Sequence, residues 1–112
     1  MNELDKYLNH CYWEHNKEFI FIYKLVKVDG KYGLLCHEVQ KNPCYAWVYE
    51  DFPEDSPEFL PSFIPELDPE CNAKEISEGH YYELTTKITR LKEANEAYEN
   101  QVKEFINAYG LE

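Results

Sequence analysis

The sequence predicts an α+β domain: a short N-terminal helix, a three- or four-stranded antiparallel meander, a proline-rich acidic arm and a long C-terminal helix with coiled-coil-like heptads. Three observations carry this assignment. Residues 18–50 hold three aromatic and β-branched runs separated by turn signals. Prolines then recur at 53, 57, 61, 65 and 69, a strict period of four. Finally, Tyr81, Leu84, Ile88, Leu91, Asn95, Tyr98, Val102, Phe105 and Tyr109 follow one another in alternating steps of three and four.

Residues 2–13 place Leu4, Tyr7, Leu8, Cys11 and Tyr12 at helical spacing behind Asn2, a candidate N-cap, and read as a short amphipathic helix. The polar segment 14–17 reads as a turn. The run from Glu18 to Val28 is apolar on both faces in its first half, the pattern of an interior strand covered from both sides. Asp29-Gly30 tolerates positive φ and predicts a tight hairpin into a second strand near 32–40. A turn at 41–43 leads to a third strand, 44–50, which sets Tyr45, Trp47 and Tyr49 on one face. Such an aromatic stripe is either core or interface.

In the arm, 51–71, the repeated prolines exclude a continuous α-helix, and a period of four does not fit the three-residue turn of polyproline II. Successive single turns fit better. Phe52, Phe59, Leu60, Phe63, Ile64 and Leu67 are too apolar for a free linker, so the arm is expected to lie over the sheet or on a partner. An edge strand at 73–76 follows. Ser77 then caps the helix 77–110, with Ile76 and Tyr81 as a hydrophobic staple and Gly110 as the stop signal.

The 112 residues amount to a single domain with a formal charge of −11. That charge is not spread evenly. Residues 1–49 balance six acids with six lysines, whereas 50–83 carry eleven acids and one lysine. The balance argues against direct binding of nucleic acid or an anionic membrane and favours a basic partner. Glu50, Asp51, Glu54, Asp55, Glu58, Glu66, Asp68 and Glu70, mixed with Phe59 and Phe63, are the candidate partner-binding residues. Carboxylates and rings on an irregular segment imitate the phosphates and bases of a nucleic-acid strand. The expected partner is therefore a basic protein, such as a nucleic-acid-binding enzyme or complex. The plainer alternative is that these carboxylates only solubilise an apolar loop.

Catalytic chemistry is weakly supported. The three serines are explained by turns and a cap, no glycine-rich phosphate loop exists, and no histidine is paired with a cysteine by spacing. Cys11, Cys36, Cys44 and Cys71 form no close pair, and Cys36-His37 on a strand point to opposite faces, so neither metal nor cofactor is expected. No basic N-terminal stretch precedes an apolar run, and no window is apolar enough to span a membrane. A cytoplasmic setting with reduced thiols is the resulting expectation.

For the long helix, Ile88, Leu91, Asn95, Tyr98, Val102 and Phe105 form the predicted oligomer interface, with a homodimer expected. The functional expectation is a non-enzymatic binding module that inhibits its partner by nucleic-acid mimicry. The analogy is to small phage-encoded inhibitors of host defence such as anti-CRISPR proteins, in size, charge and lack of motifs. A homodimeric coiled-coil adaptor is the alternative, and a small metal protein or enzyme the third.

Overall fold

The computed structural model describes residues 3–41, 44–52, 57–93 and 98–109. Five strands, β1 (Cys11–His15), β2 (Phe19–Val28), β3 (Lys31–Lys41), β4 (Cys44–Asp51) and β5 (Lys74–Ile76), form one sheet in the order β4-β3-β2-β1-β5. Every neighbouring pair is antiparallel. Two helices, α1 (Glu78–Glu93) and α2 (Tyr98–Tyr109), pack on one face. An N-terminal 3-10 turn (Glu3–Tyr7) and the arm, entered through a second 3-10 helix (Pro57–Phe63), cover the other.

The middle of the sheet agrees with the sequence. Asp29 and Gly30 adopt φ of 51° and 79°, and the β2–β3 hairpin pairs in register from Phe19–Gln40 to Val28–Lys31. β5 is an edge strand as expected, but its neighbour is β1, where a helix was predicted, so the sheet has five strands rather than three or four.

The N-terminal helix expected over 2–13 is replaced by one 3-10 turn and a strand; Asn2 lies outside the described residues. Asn9, at φ 67°, ends the turn in the left-handed region, and its amide donates to the Leu25 carbonyl at 2.8 Å. The chain then extends into Cys-Tyr-Trp-Glu-His, a run suited to a pleated surface. Cys11 and Tyr12 are both buried but in opposite layers, which a helix stripe would not allow. The turn into β2 is tightened by Asn16, whose Oδ1 accepts from the Glu18 and Phe19 amides at 2.7 and 3.0 Å.

The single rod expected over 77–110 is also corrected. Its start is as read: Ser77 Oγ accepts the His80 amide at 3.1 Å, and Ile76 and Tyr81 join one apolar cluster. A straight helix, however, would carry Phe105 about 20 Å along the axis beyond Leu91. Instead Phe105 and Ile106 of α2 join Leu84, Ile88 and Leu91 of α1 in one cluster with Ile20, Ile22, Val39 and Ala46 of the sheet. The predicted seam residues Ile88, Leu91 and Phe105 are thus buried against the chain's own strands. Asn95 lies outside the described residues, and Tyr98 and Val102 lie within α2. Spacing of three and four marks a buried helical stripe, and here the sheet is what buries it.

The faces alternate strictly. Ile20, Ile22, His37, Val39 and Ala46 face the helices; Phe21, Tyr23, Leu25, Leu34 and Cys36 face the arm. β2 is covered on both sides.

Truncating a fully buried seam residue tests this arrangement. Ile88→Ala is expected to cost about 2–5 kcal/mol in denaturant unfolding, the same at low and high protein concentration. A loss that grows on dilution would place the stripe between chains.

Candidate binding surface

The arm is held to the sheet by apolar burial and two tyrosine hydroxyls. Leu60 and Ile64 enter the cluster of Tyr12, Tyr23, Leu25, Leu34 and Cys36. Each such aliphatic side chain stabilises by about 1.5–3 kcal/mol when fully buried. The Tyr23 hydroxyl donates to the Phe63 carbonyl at 2.6 Å, and the Tyr12 hydroxyl donates to Glu66 Oε2 at 3.1 Å. Single turns follow one another, as the proline period implies. Ile64 N bonds Pro61 O at 3.1 Å, Leu67 N bonds Ile64 O at 2.9 Å, and Cys71 N bonds Asp68 O at 3.1 Å. Burial pushes both tyrosine hydroxyls well above the usual phenol range, so they remain protonated donors.

The predicted partner-binding residues do not form one group. Glu66 and Glu70 are exposed and Asp68 is half-exposed, Asp68 also accepting the Glu70 amide at 2.9 Å. Phe63 turns inward against Tyr23, its ring edge-on at 5.8 Å. Glu50 and Asp51 sit exposed at the end of β4, where register turns Asp51 to the arm side and Glu50 to the helix side. Glu58 and Phe59 lie in the arm's 3-10 helix, and Glu54 and Asp55 lie outside the described residues.

A cluster absent from the sequence reading joins the arm to the sheet edge. Glu75 pairs across β1 with Tyr12, and its Oε1 lies 3.4 Å from His10 Nδ1. Glu66 reaches the same carboxyl group. Partial desolvation and the bond to Glu75 hold the Glu66 carboxyl above its ordinary range, and that same bond, then His10, holds Glu75 below. The β1–β5 register and the seating of the arm on Tyr12 together assemble this cluster, and no spacing rule reveals it.

The two sides of the sheet differ in charge: acids dominate the arm side, whereas the helix side carries both signs. Strand alternation sends Glu14, Glu38, Asp51 and Glu75 to the arm side, where Glu66, Asp68 and Glu70 join them. The described cations on that side are Lys6, in the N-terminal turn, and Lys27, 3.8 Å from Asp5; Lys17 stands in the turn between β1 and β2. On the helix side Lys24 lies over the Tyr81 and Tyr82 rings at 5.0 and 5.2 Å. Lys87, Arg90, Lys92 and Lys103 are carried by the helices. Trp47 and Tyr49 of the aromatic stripe face the arm side at the β4 edge, Tyr49 being 38% exposed. The side chain of Tyr45, the third member, lies outside the described residues.

Buried groups elsewhere are structural. His37 is 7% exposed, edge-on to Tyr81 at 5.9 Å, with neither its Nδ1 nor the Tyr81 hydroxyl hydrogen-bonded. Burial, then Lys92, lowers its pKa to about 4. Burial raises the Cys36 thiol to about 12, so it stays protonated. Among the described residues, no group of three or more His, Cys, Asp or Glu side chains is placed to hold a metal ion. None of the described helices is long and apolar enough to cross a membrane.

Two outcomes follow. Above pH about 6.5 His37 is neutral in both folded and unfolded chains, so it contributes no pH dependence there. Between about 6.5 and 4 only the unfolded chain takes up the proton, and stability falls by roughly 3 kcal/mol. His37→Phe is expected to flatten the unfolding free energy across that window relative to wild type. Tyr23→Phe is expected to cost about 1–3 kcal/mol and to expose 57–71 to limited proteolysis before the rest of the chain.

Comparison with protein-family models, curated proteins and solved structures finds no match to this chain.

Proposed function

We propose that this chain is a non-enzymatic acidic protein-binding module that occupies a basic, nucleic-acid-binding surface of a partner and inhibits it by nucleic-acid mimicry. The observation that carries the reading is the concentration of acids on the arm side of the sheet, opposite a helix side of mixed charge, in a layer that is anchored. Glu66 is tied to Tyr12, and the arm bearing Asp68 and Glu70 is seated through Leu60, Ile64 and the Tyr23 hydroxyl. Carboxylates held at fixed positions lose less freedom on binding than those on a loose tail, so more of the Coulomb attraction survives as affinity. The chain's net −11 steers it toward cationic surfaces and away from nucleic acid itself. A partner that normally holds phosphates presents arginine and lysine, whose donors pair with carboxylates as they do with phosphates.

Phe63 supports the inward half of this reading, since it fastens the arm. The outward half therefore rests on carboxylates more than on rings.

The test is capture of basic proteins from extracts of the source cells, washed at about 0.05 and 0.5 M salt, with double-stranded DNA as competitor. Mimicry predicts that captured proteins bind nucleic acid, release at the higher salt, and are displaced by DNA. Changing Glu54, Asp55 and Glu58 together to alanine is expected to weaken capture about tenfold or more. Unchanged capture in that variant, or indifference to DNA, would sink the proposal.

A further inference from the structure

The arm leaves part of its own face of the sheet open. At the end of β2 and β3 nearest the β1–β2 turn lies a cleft of about 510 Å³, lined by Lys17, Glu18, Phe19, Glu38 and Gln40. It falls within the roughly 300–1,000 Å³ range of binding clefts and is floored by strand residues rather than loop. Register places Phe19 opposite Gln40, and Phe21 opposite Glu38, which in turn lies opposite Trp47 on β4; Glu14 of β1 completes that cross-strand row. Carboxylate, ring, carboxylate, ring therefore alternate across four strands, a span of about 14 Å. Phe19, Phe21 and Trp47 are each half-buried, fixed by the sheet yet not sealed from solvent.

We infer that this cleft receives an arginine side chain from a basic segment of the partner, the guanidinium stacking on Phe19 and hydrogen-bonding to Glu38 and Glu18. This rests on the acidic-module reading and names the residue type and seat it uses. Charge selects a cation, and the geometry selects arginine over lysine. A planar guanidinium covers an aromatic face while its forked donors meet a carboxylate, whereas an ammonium does one or the other. Glu38 suits the part because the Trp47 indole N–H bonds to its carboxylate and holds it in place, leaving further lone pairs for a partner. Its partial burial, which shifts its pKa upward, shows a carboxylate already stripped of some water, so a cation recovers solvation that the fold took away. Gln40 adds a carboxamide oxygen on the same wall. Lys17 at the rim is the one lining group of the wrong sign, and a bound arginine competes with it.

The probes are two labelled synthetic peptides of equal length and charge, one with arginine at alternate positions and one with lysine. Binding to the full chain is followed by fluorescence anisotropy at low salt. The arginine peptide is expected to bind about fivefold or more tightly than the lysine peptide. Glu38→Gln, which keeps the side-chain shape, is expected to weaken the arginine peptide about tenfold and to erase the difference between the two. Lys17→Ala is expected to strengthen the arginine peptide about twofold. The arm pair Asp68→Asn with Glu70→Gln is expected to weaken both peptides alike. Thermal melts of each variant check that the fold is kept, and Phe19→Leu gives an independent loss of the arginine preference without a charge change.

Equal affinity for the two peptides in wild type, or full arginine preference in Glu38→Gln, overturns the cleft while leaving the acidic-module reading standing. Failure of both peptides to bind at low salt overturns the cleft and that reading together.

Discussion

Everything in this fold follows from the need to cover β2 on both faces. Its residues are apolar at even and odd positions alike, so Ile20 and Ile22 look one way while Phe21, Tyr23 and Leu25 look the other. An antiparallel sheet usually leaves one face to water, and hence half its residues polar. Here neither face of the central strand allows it. The helices supply one cover, α1 through Leu84, Ile88 and Leu91 and α2 through Phe105 and Ile106. Little chain remains to cover the other side, and the arm does so with a minimum of regular structure. Its prolines hold short turns in place at low entropic cost, and Leu60 and Ile64 supply the apolar surface.

That solution has an electrostatic consequence. A segment of turns cannot satisfy its own backbone as a helix or sheet does, so it borrows a donor from beneath: the Tyr23 hydroxyl donates to the Phe63 carbonyl, while the Tyr12 hydroxyl holds the Glu66 carboxyl group. Both are buried tyrosines whose rings also stack on one another at 5.6 Å, so the same residues form the floor and the fastening. The arm's position is thereby set by the core, and its carboxylates inherit that position. The link from core packing to a charged surface runs through these two side chains.

Much of this was legible in the sequence, and the failures are instructive. Asp29-Gly30, the Ser77 cap, the β5 edge strand and the turns of the arm each depend on a local rule, and each was readable from a few neighbouring residues. The start of the chain was misread because Leu4, Tyr7, Leu8 and Cys11 lie at helical spacing, although the first three pack with the arm layer and Cys11 with the helices. The heptads were misread for a different reason. Their spacing reports a buried stripe, but a stripe on a sheet and a stripe on a partner helix look the same. The Glu14–Phe21–Glu38–Trp47 row is illegible in principle, since strand register assembles it rather than sequence distance, and so is the Glu66–Glu75–His10 cluster, which needs the seating of the arm as well.

Whether the acidic layer has a purpose beyond solubility turns on how the other layer handles the same problem. The helices also face water, yet they carry both signs: α1 balances Glu78, Glu83 and Glu93 with Lys87, Arg90 and Lys92, and Glu83 and Lys87 pair one turn apart at 3.9 Å. Mixed charge of that kind keeps a surface soluble with little self-repulsion. The arm side takes the opposite course, even to the point of bringing two carboxyl groups within one hydrogen bond. Repulsion between exposed charges costs up to about 1 kcal/mol for each pair, less than burying either Leu60 or Ile64 contributes, so the fold tolerates it. Toleration does not account for the asymmetry, because acids spread over both layers would keep the chain as soluble at lower cost. A concentrated anionic face on an anchored support is what recognition of a cationic surface requires, and that match is the physical argument behind the binding role we propose.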